Sequence, residues 1–194
     1  MKLYFAPGAC SLADHIALHE AGLSFEHEKV DLKTKLTETG ADFTTINPKG
    51  YVPTLVLDTG ETLTENVAIL DWIAHRQTAL RPSGEMGHTH LLQALAYVST
   101  EIHKSFKPFF SGGSADEKAK AGEVILKRMT YLAVTMQGDY LFGPDVSVAD
   151  FYLFVMLLWA RKNSLETPAK LADFRDRLME RPSVRTAMTH EGLV

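Results

Sequence analysis

Apolar residues follow two regimes along the chain. Through the first 77 residues they come in short blocks broken by turn formers; beyond that they recur at helical spacing. Leu3-Tyr4-Phe5 predicts a short strand. Ser11 to Gly22 predicts a helix, with Leu12, Ile16 and Leu18 apolar and Gly22 where a helix closes. Phe25 to Val30 predicts a weak strand, Asp42 to Ile46 a weak helix or turn, and Asn47-Pro48-Lys49-Gly50 a turn. Val52 to Leu57 and Thr62-Leu63 predict the two arms of a hairpin that turns at Asp58-Thr59-Gly60-Glu61. Thr64 caps a helix from Glu65 to about Arg76, whose apolar side carries Val67, Ile69, Leu70 and Ile73.

The predicted order is therefore β-α-β-α-β-β-α, a βαβ unit followed by a hairpin and a closing helix, which is the thioredoxin layout. Arg81-Pro82-Ser83-Gly84-Glu85-Met86-Gly87 is the strongest linker in the chain. Everything after it reads as helix: His88 to Phe106, ending near Pro108; Ala115 to Gln137; Ser147 to Lys162; Pro168 to Glu180; and Ser183 to His190. The expected fold class is α/β plus all-α, with a thioredoxin-like domain over 1–80 and a helical bundle over 87–194. No internal repeat or low-complexity tract interrupts either part.

Composition narrows the function classes. Of 194 residues 45% are hydrophobic, enough for a proper core, and the formal net charge of -4 argues against a nucleic-acid surface. No apolar run is long enough to span a membrane; the longest, Phe151 to Ala160, lies inside a helical pattern. Cys10 is the sole cysteine, so an internal disulfide is impossible and a cytoplasmic protein is the expectation.

Candidate chemistry is concentrated at a few points. Cys10 stands at the join of the first strand and first helix, where free N–H groups and the helix dipole favour a thiolate; a small buried hydrophobe is the bland alternative. Val52-Pro53 opens a strand. In the thioredoxin fold this proline is cis and offers the preceding backbone to a ligand, although most X-Pro bonds are trans. Thr64-Glu65-Asn66 begins a helix, which makes either a plain cap or an anion site with Glu65 beside it to hold an ammonium. His103 lies on the long helix and is one of eight histidines, so position alone gives it little weight. His88 and His90 form a close pair without a third ligand, and no metal site is expected. Ser147 and Asp150 form a Ser-x-x-Asp capping box, with Val146 and Phe151 as a hydrophobic staple; that motif is structural.

Ala6-Pro7-Gly8-Ala9-Cys10-Ser11-Leu12, Val30-Asp31-Leu32, Asn47 to Pro53, Leu63-Thr64-Glu65, Thr100-Glu101-Ile102-His103-Lys104 and the capping box, in this order and spacing, closely resemble the glutathione transferases, and among them the bacterial beta class. The resemblance covers the whole chain. It implies glutathione as co-substrate, a homodimer, and an open cleft that takes a small apolar electrophile. It implies that Cys10 faces the glutathione sulfur and that His103 closes the site together with Lys104. Val52, ahead of Pro53, would pair its backbone with the cysteinyl unit, and Lys35 would neutralise the glycine carboxylate. Glu65 and Asn66 would take the γ-glutamyl end, while Thr100 and Glu101 would reach the neighbouring subunit's ligand. Three departures stand out: Phe5 where tyrosine is frequent, Ala96 where asparagine is usual, and a short segment between Gln77 and His90.

Conjugation to electrophiles, with peroxidase or thiol-exchange side activity through Cys10, is the leading expectation. The alternatives are a thiol–disulfide reductase acting on glutathione mixed disulfides and a non-catalytic binder of glutathione or apolar ligands; one fold hosts all three.

Overall fold

The computed structural model describes all 194 residues. They divide into two compact units, residues 1–77 with 180–194, and residues 78–179.

The first unit is built on a five-stranded sheet in the order β3-β2-β1-β4-β5, comprising β1 (Lys2–Phe5), β2 (Glu26–Asp31), β3 (Leu36–Thr37), β4 (Thr54–Val56) and β5 (Thr62–Thr64). β1 pairs parallel with β2 across the helix α1 (Leu12–Glu20) and antiparallel with β4, and β4–β5 is the predicted hairpin. The two-residue β3 was not anticipated. It pairs Val30 with Thr37 and Asp31 with Leu36, and neither residue of β3 gives a pattern long enough to read. Successive side chains of β1 point to opposite faces, yet Leu3, Tyr4 and Phe5 are all buried, because both faces are covered. Tyr4 joins Ala6, Val30, Phe43 and Val52 in one apolar cluster. α2 (Asn66–Arg76) buries Ile69, Leu70 and Ile73 of its predicted apolar side, while Val67 is only half-buried.

The chain end returns to this unit. α8 (Pro182–His190) buries Val184, Ala187 and Met188 and packs on α1. Arg181 and Ser183 both bond the Glu20 carboxylate at the end of α1. The contiguous boundary expected over 87–194 thus differs from the division that the packing makes. Helical periodicity identifies an apolar stripe but carries no information about which body that stripe covers.

The second unit is helical: α3 (Gly87–Tyr97), α4 (Lys107–Phe110), α5 (Ala115–Thr135), α6 (Val148–Lys162) and α7 (Ala169–Met179). α6 is its centre, with Val148 to Leu157 buried without a break. The long helix predicted over 88–106 is one helical path with three hydrogen-bonding patterns. After α3 comes a π turn at Val98–Ile102, then a 3₁₀ turn at His103–Phe106, then α4. Pro108 does not end the path. It sits in the first turn of α4, where a missing N–H costs nothing, and the helix runs on to Phe110. No helix is long and apolar enough to cross a membrane.

Candidate functional site

Asn47 is buried and organises the loop ahead of β4. Its amide donates to the Tyr51 carbonyl and to Thr54 Oγ1, each at 2.9 Å, and its Oδ1 accepts from the Lys49 N–H at 3.1 Å. Gly50 turns the loop at φ +68°, a conformation that suits glycine. The Val52–Pro53 bond is cis, as the thioredoxin layout led us to expect. Lys35, itself at φ +60°, donates from Nζ to the Gly50 carbonyl at 2.8 Å.

Against this loop lies Cys10. Its Sγ is 3.8 Å from the Val52 carbonyl oxygen, to which the thiol donates. The thiolate expected at a helix start is not what this environment favours. Burial pushes the Cys10 thiol up to about 12, and the carboxylates of Asp14 and Glu65 add to that. The N–H groups of Ser11 and Cys10 oppose the shift, but the cost of burying a thiolate is larger. At neutral pH Cys10 is a thiol and a hydrogen-bond donor.

Glu65 stands just ahead of α2 with φ +72° and ψ 119°, a backbone state that a side chain adopts only under constraint from its surroundings. Its Oε1 accepts from Lys49 Nζ at 2.5 Å and from the Tyr51 hydroxyl at 2.7 Å, and these bonds hold its carboxyl below the usual range. The carboxylate is exposed, anionic and already paired with an ammonium. From the sequence Lys49 was a turn residue and Tyr51 a member of the Asn47 to Pro53 motif, neither with a role of its own. Their contact with Glu65 crosses the β4–β5 hairpin, and local spacing gives no sign of it.

Asn66 departs from its expected role. Its side chain is buried, and the amide, oriented to satisfy its neighbours, donates to Asp14 Oδ2 at 2.6 Å and to the Cys10 carbonyl at 3.0 Å. Its side chain therefore braces the Cys10 turn instead of facing outward; only its backbone at the start of α2 remains suited to an anion. The first unit thus brings Cys10, Val52, Pro53, Glu65 and the Asn66 backbone to one loop cluster, with Lys35 at its border.

Thr100, Glu101, His103 and Lys104 belong to the second unit. The π turn carries Thr100 and Glu101, and π insertions concentrate at functional positions. The Thr100 hydroxyl is spent on the Ala96 carbonyl at 3.0 Å, and Glu101 pairs with Arg128 at 2.7 Å. Ala96, Tyr97, Thr100, Glu101 and Tyr131 line a groove of about 530 Å³. His103 is held by α6: its Nδ1 lies 2.6 Å from the Tyr152 hydroxyl, and its ring meets Trp159 edge-on at 4.9 Å. Trp159 itself is buried in the core of the helical unit. With Lys104, Lys107 and Phe110, His103 borders a recess of about 560 Å³.

Burial, reinforced by Lys104, lowers His103 to about 4. Below pH 6.5 the unfolded chain binds a proton that folded His103 still refuses, so this group contributes stability that is lost on acidification from 6.5 toward 4. We expect the slope of unfolding free energy against pH across that window to fall in His103→Gln by about 1.4 kcal/mol per pH unit, as read by urea titration at stepped pH. An unchanged slope would mean that His103 titrates normally in the folded chain.

Residues 9–76 match the family model of the glutathione S-transferase N-terminal domain, and residues 100–189 match that of the C-terminal domain. The chain belongs to the glutathione S-transferase family. It is 39% identical over 200 residues, covering 100% of both chains, to glutathione S-transferase GstA of Escherichia coli O157:H7. Among solved structures it resembles the bacterial beta class glutathione S-transferase of Sphingomonas chungbukensis, with 43% identity, TM-score 0.91 and 100% of each chain covered. It also resembles a sphingomonad glutathione S-transferase complexed with glutathione, with 44% identity, TM-score 0.92 and 100% of each chain covered. The beta-class resemblance drawn from the motifs therefore stands, as does the thioredoxin-like plus helical fold class. A glutathione transferase is an enzyme, and glutathione is its co-substrate. In this transferase Phe5, the departure noted in the first strand, has its ring 5.3 Å from that of His15 and 5.8 Å from that of His27.

Proposed function

We propose that this transferase conjugates the glutathione thiolate to small apolar electrophiles, and that the first unit recognises glutathione through the loop cluster around Glu65. The observation that carries this assignment is Glu65 itself: a constrained, exposed carboxylate beside a helix start. It suits an α-amino acid end, with the carboxylate taking the ammonium and the α2 N–H groups taking the carboxylate of the γ-glutamyl unit. The Val52 backbone pairs with the cysteinyl amide, and Lys35 lies where a further carboxylate is neutralised. The Cys10 S–H donates to the glutathione sulfur and stabilises its thiolate. That sulfur then forms the new S–C bond as the electrophile's leaving group departs with its electron pair, and the thiol proton passes to solvent.

His103, Lys104 and Phe110 supply a partly apolar, basic wall for the electrophile. A homodimer is supported by α5, which exposes Val124, Tyr131 and Val134 beside the groove that carries Thr100 and Glu101. A cytoplasmic location fits a chain with one unpaired cysteine. Thiol–disulfide exchange, the second reading, requires a Cys10 thiolate, and the raised thiol runs against it as the main activity.

The test is conjugation of glutathione to an aryl halide by wild type and Glu65→Ala, with glutathione affinity read by calorimetry. Loss of a charge-assisted bond worth about 2 kcal/mol should weaken glutathione binding by about 30-fold. Affinity within a factor of three of wild type would remove Glu65 from the site.

A further inference from the structure

Away from the Cys10 loop, the first unit gathers four histidines. His15 and His19 come from α1, His27 from β2 and His190 from the end of α8. One ring nitrogen from each of His15, His27 and His190 lies within 4.8 Å of the others. The His27 and His190 rings stack at 4.6 Å, and the His15 ring lies 5.1 Å from the first and 5.6 Å from the second. Three elements distant in sequence therefore bring three imidazoles to one point.

His15 is the decisive member. Its side chain is fully buried, and its Nε2 has no hydrogen-bond partner. A buried polar atom without a partner is costly and asks for an occupant. The other nitrogen, Nδ1, is fixed by Glu191 Oε1 at 3.0 Å, and Glu191 Oε2 is in turn held by the Gly8 N–H at 2.8 Å. A carboxyl group bonded to one ring nitrogen holds the ring with its other nitrogen facing the cluster, which is how ligating histidines are oriented. Phe5 and Phe25 wall the cluster with apolar surface.

We propose that His15 Nε2, His27 and His190 form a three-imidazole site for a divalent transition ion of the zinc class, with Glu191 as the residue that positions His15. Three histidines leave a fourth tetrahedral position open to water or to His19, whose ring is 5.2 Å from both His15 and His190 and whose Nε2 also lacks a partner. Imidazole-only sites select zinc, copper, nickel or cobalt over magnesium and calcium. Because the ligands come from α1, β2 and α8, the ion would fasten the returning chain end to the sheet.

The test uses the full chain without an affinity tag, stripped with chelator and then titrated with Zn²⁺ alone by calorimetry and with Co²⁺ by visible absorbance. We expect one ion per chain with a Kd below about 10 μM, cobalt bands in the visible without a sulfur charge-transfer band, and a Tm raised by about 5 °C at saturating Zn²⁺. His27→Ala and His190→Ala should each weaken binding by 10-fold or more, whereas the pair His88→Ala with His90→Ala should leave it unchanged. His27 is only partly buried and His190 is exposed, so these variants keep the core intact. No binding tighter than about 100 μM, a cobalt–thiolate band, or loss of binding in the His88/His90 variant instead would each overturn the proposal. The wild-type cobalt spectrum decides the matter even if a variant fails to fold. Because glutathione is absent throughout, the outcome is independent of the conjugation reading.

Discussion

Cys10 should react with iodoacetamide at pH 7.5 roughly 100-fold more slowly than an unperturbed cysteine. The size follows from two opposing effects. A thiol near 12 presents about three thousand times less thiolate at that pH than one near 8.5, while the rarer anion is more nucleophilic by about one and a half powers of ten. The net deficit is about two powers of ten, before any loss from restricted access. Mass-spectrometric timing of alkylation on the intact protein reads it directly, because this is the only cysteine in the chain. A rate equal to that of free cysteine would mean that Ser11 and Cys10 N–H donation outweighs burial after all, and exchange chemistry at Cys10 would regain its standing. The same physics says what Cys10→Ala removes from the transferase: a donor, not a nucleophile.

Asp150→Ala should destabilise the chain by about 3 kcal/mol or more. An ordinary helix cap is worth about 1 kcal/mol. The structure raises that figure because Asp150 is fully buried and serves more than its own helix. Oδ2 accepts from the Ser147 N–H at 2.7 Å and from the Ser147 hydroxyl at 2.6 Å, and Oδ1 accepts from the Leu141 N–H at 2.8 Å. Removing the carboxylate strands three donors, two of them backbone, where water does not reach, and each buried donor left unmet costs about 1–3 kcal/mol. The loop from Leu141 to Ser147 and the start of α6 should loosen together. Urea unfolding of wild type, Asp150→Ala and Asp150→Asn checks this. Asparagine offers one oxygen but turns an N–H₂ toward donors, so it should recover part of the loss at most. A cost below about 1 kcal/mol for the alanine variant would mean that the Leu141 bond contributes nothing.

What could be read from the sequence was what local patterning encodes. The turn Asp58-Thr59-Gly60-Glu61 between Val52 to Leu57 and Thr62-Leu63 marked the hairpin, the apolar run from Phe151 to Ala160 marked a buried helix, and Ser147 with Asp150 marked its start. Cys10, Val52, Pro53 and Glu65 were identified by motif, and the structure brings all four to one loop cluster. What escaped depended on contacts between distant segments. Lys49 and Tyr51 meet Glu65 only because the hairpin folds over. Asn66 looked like a ligand residue at a helix start, yet its amide reaches back to Asp14, an acid buried inside α1 that periodicity would place anywhere on the helix. The choice at Cys10 between a thiolate and a small buried side chain stayed open for a related reason: a helix start is visible in sequence, but the burial that outweighs it is not. The π turn at Val98–Ile102 left no trace either, since one extra residue in a helical path does not disturb an apolar pattern enough to be seen.

The return of α8 to the first unit governs how the molecule is made. The Glu191 carboxylate that supports Gly8 and His15, and the Arg181 that binds Glu20, are synthesised after the whole helical unit. On the ribosome the amino-terminal unit must therefore wait, its sheet made but α1 still uncovered by α8, while about a hundred intervening residues emerge and fold. The helical unit, contiguous from 78 to 179, has no such delay and is the part able to mature first.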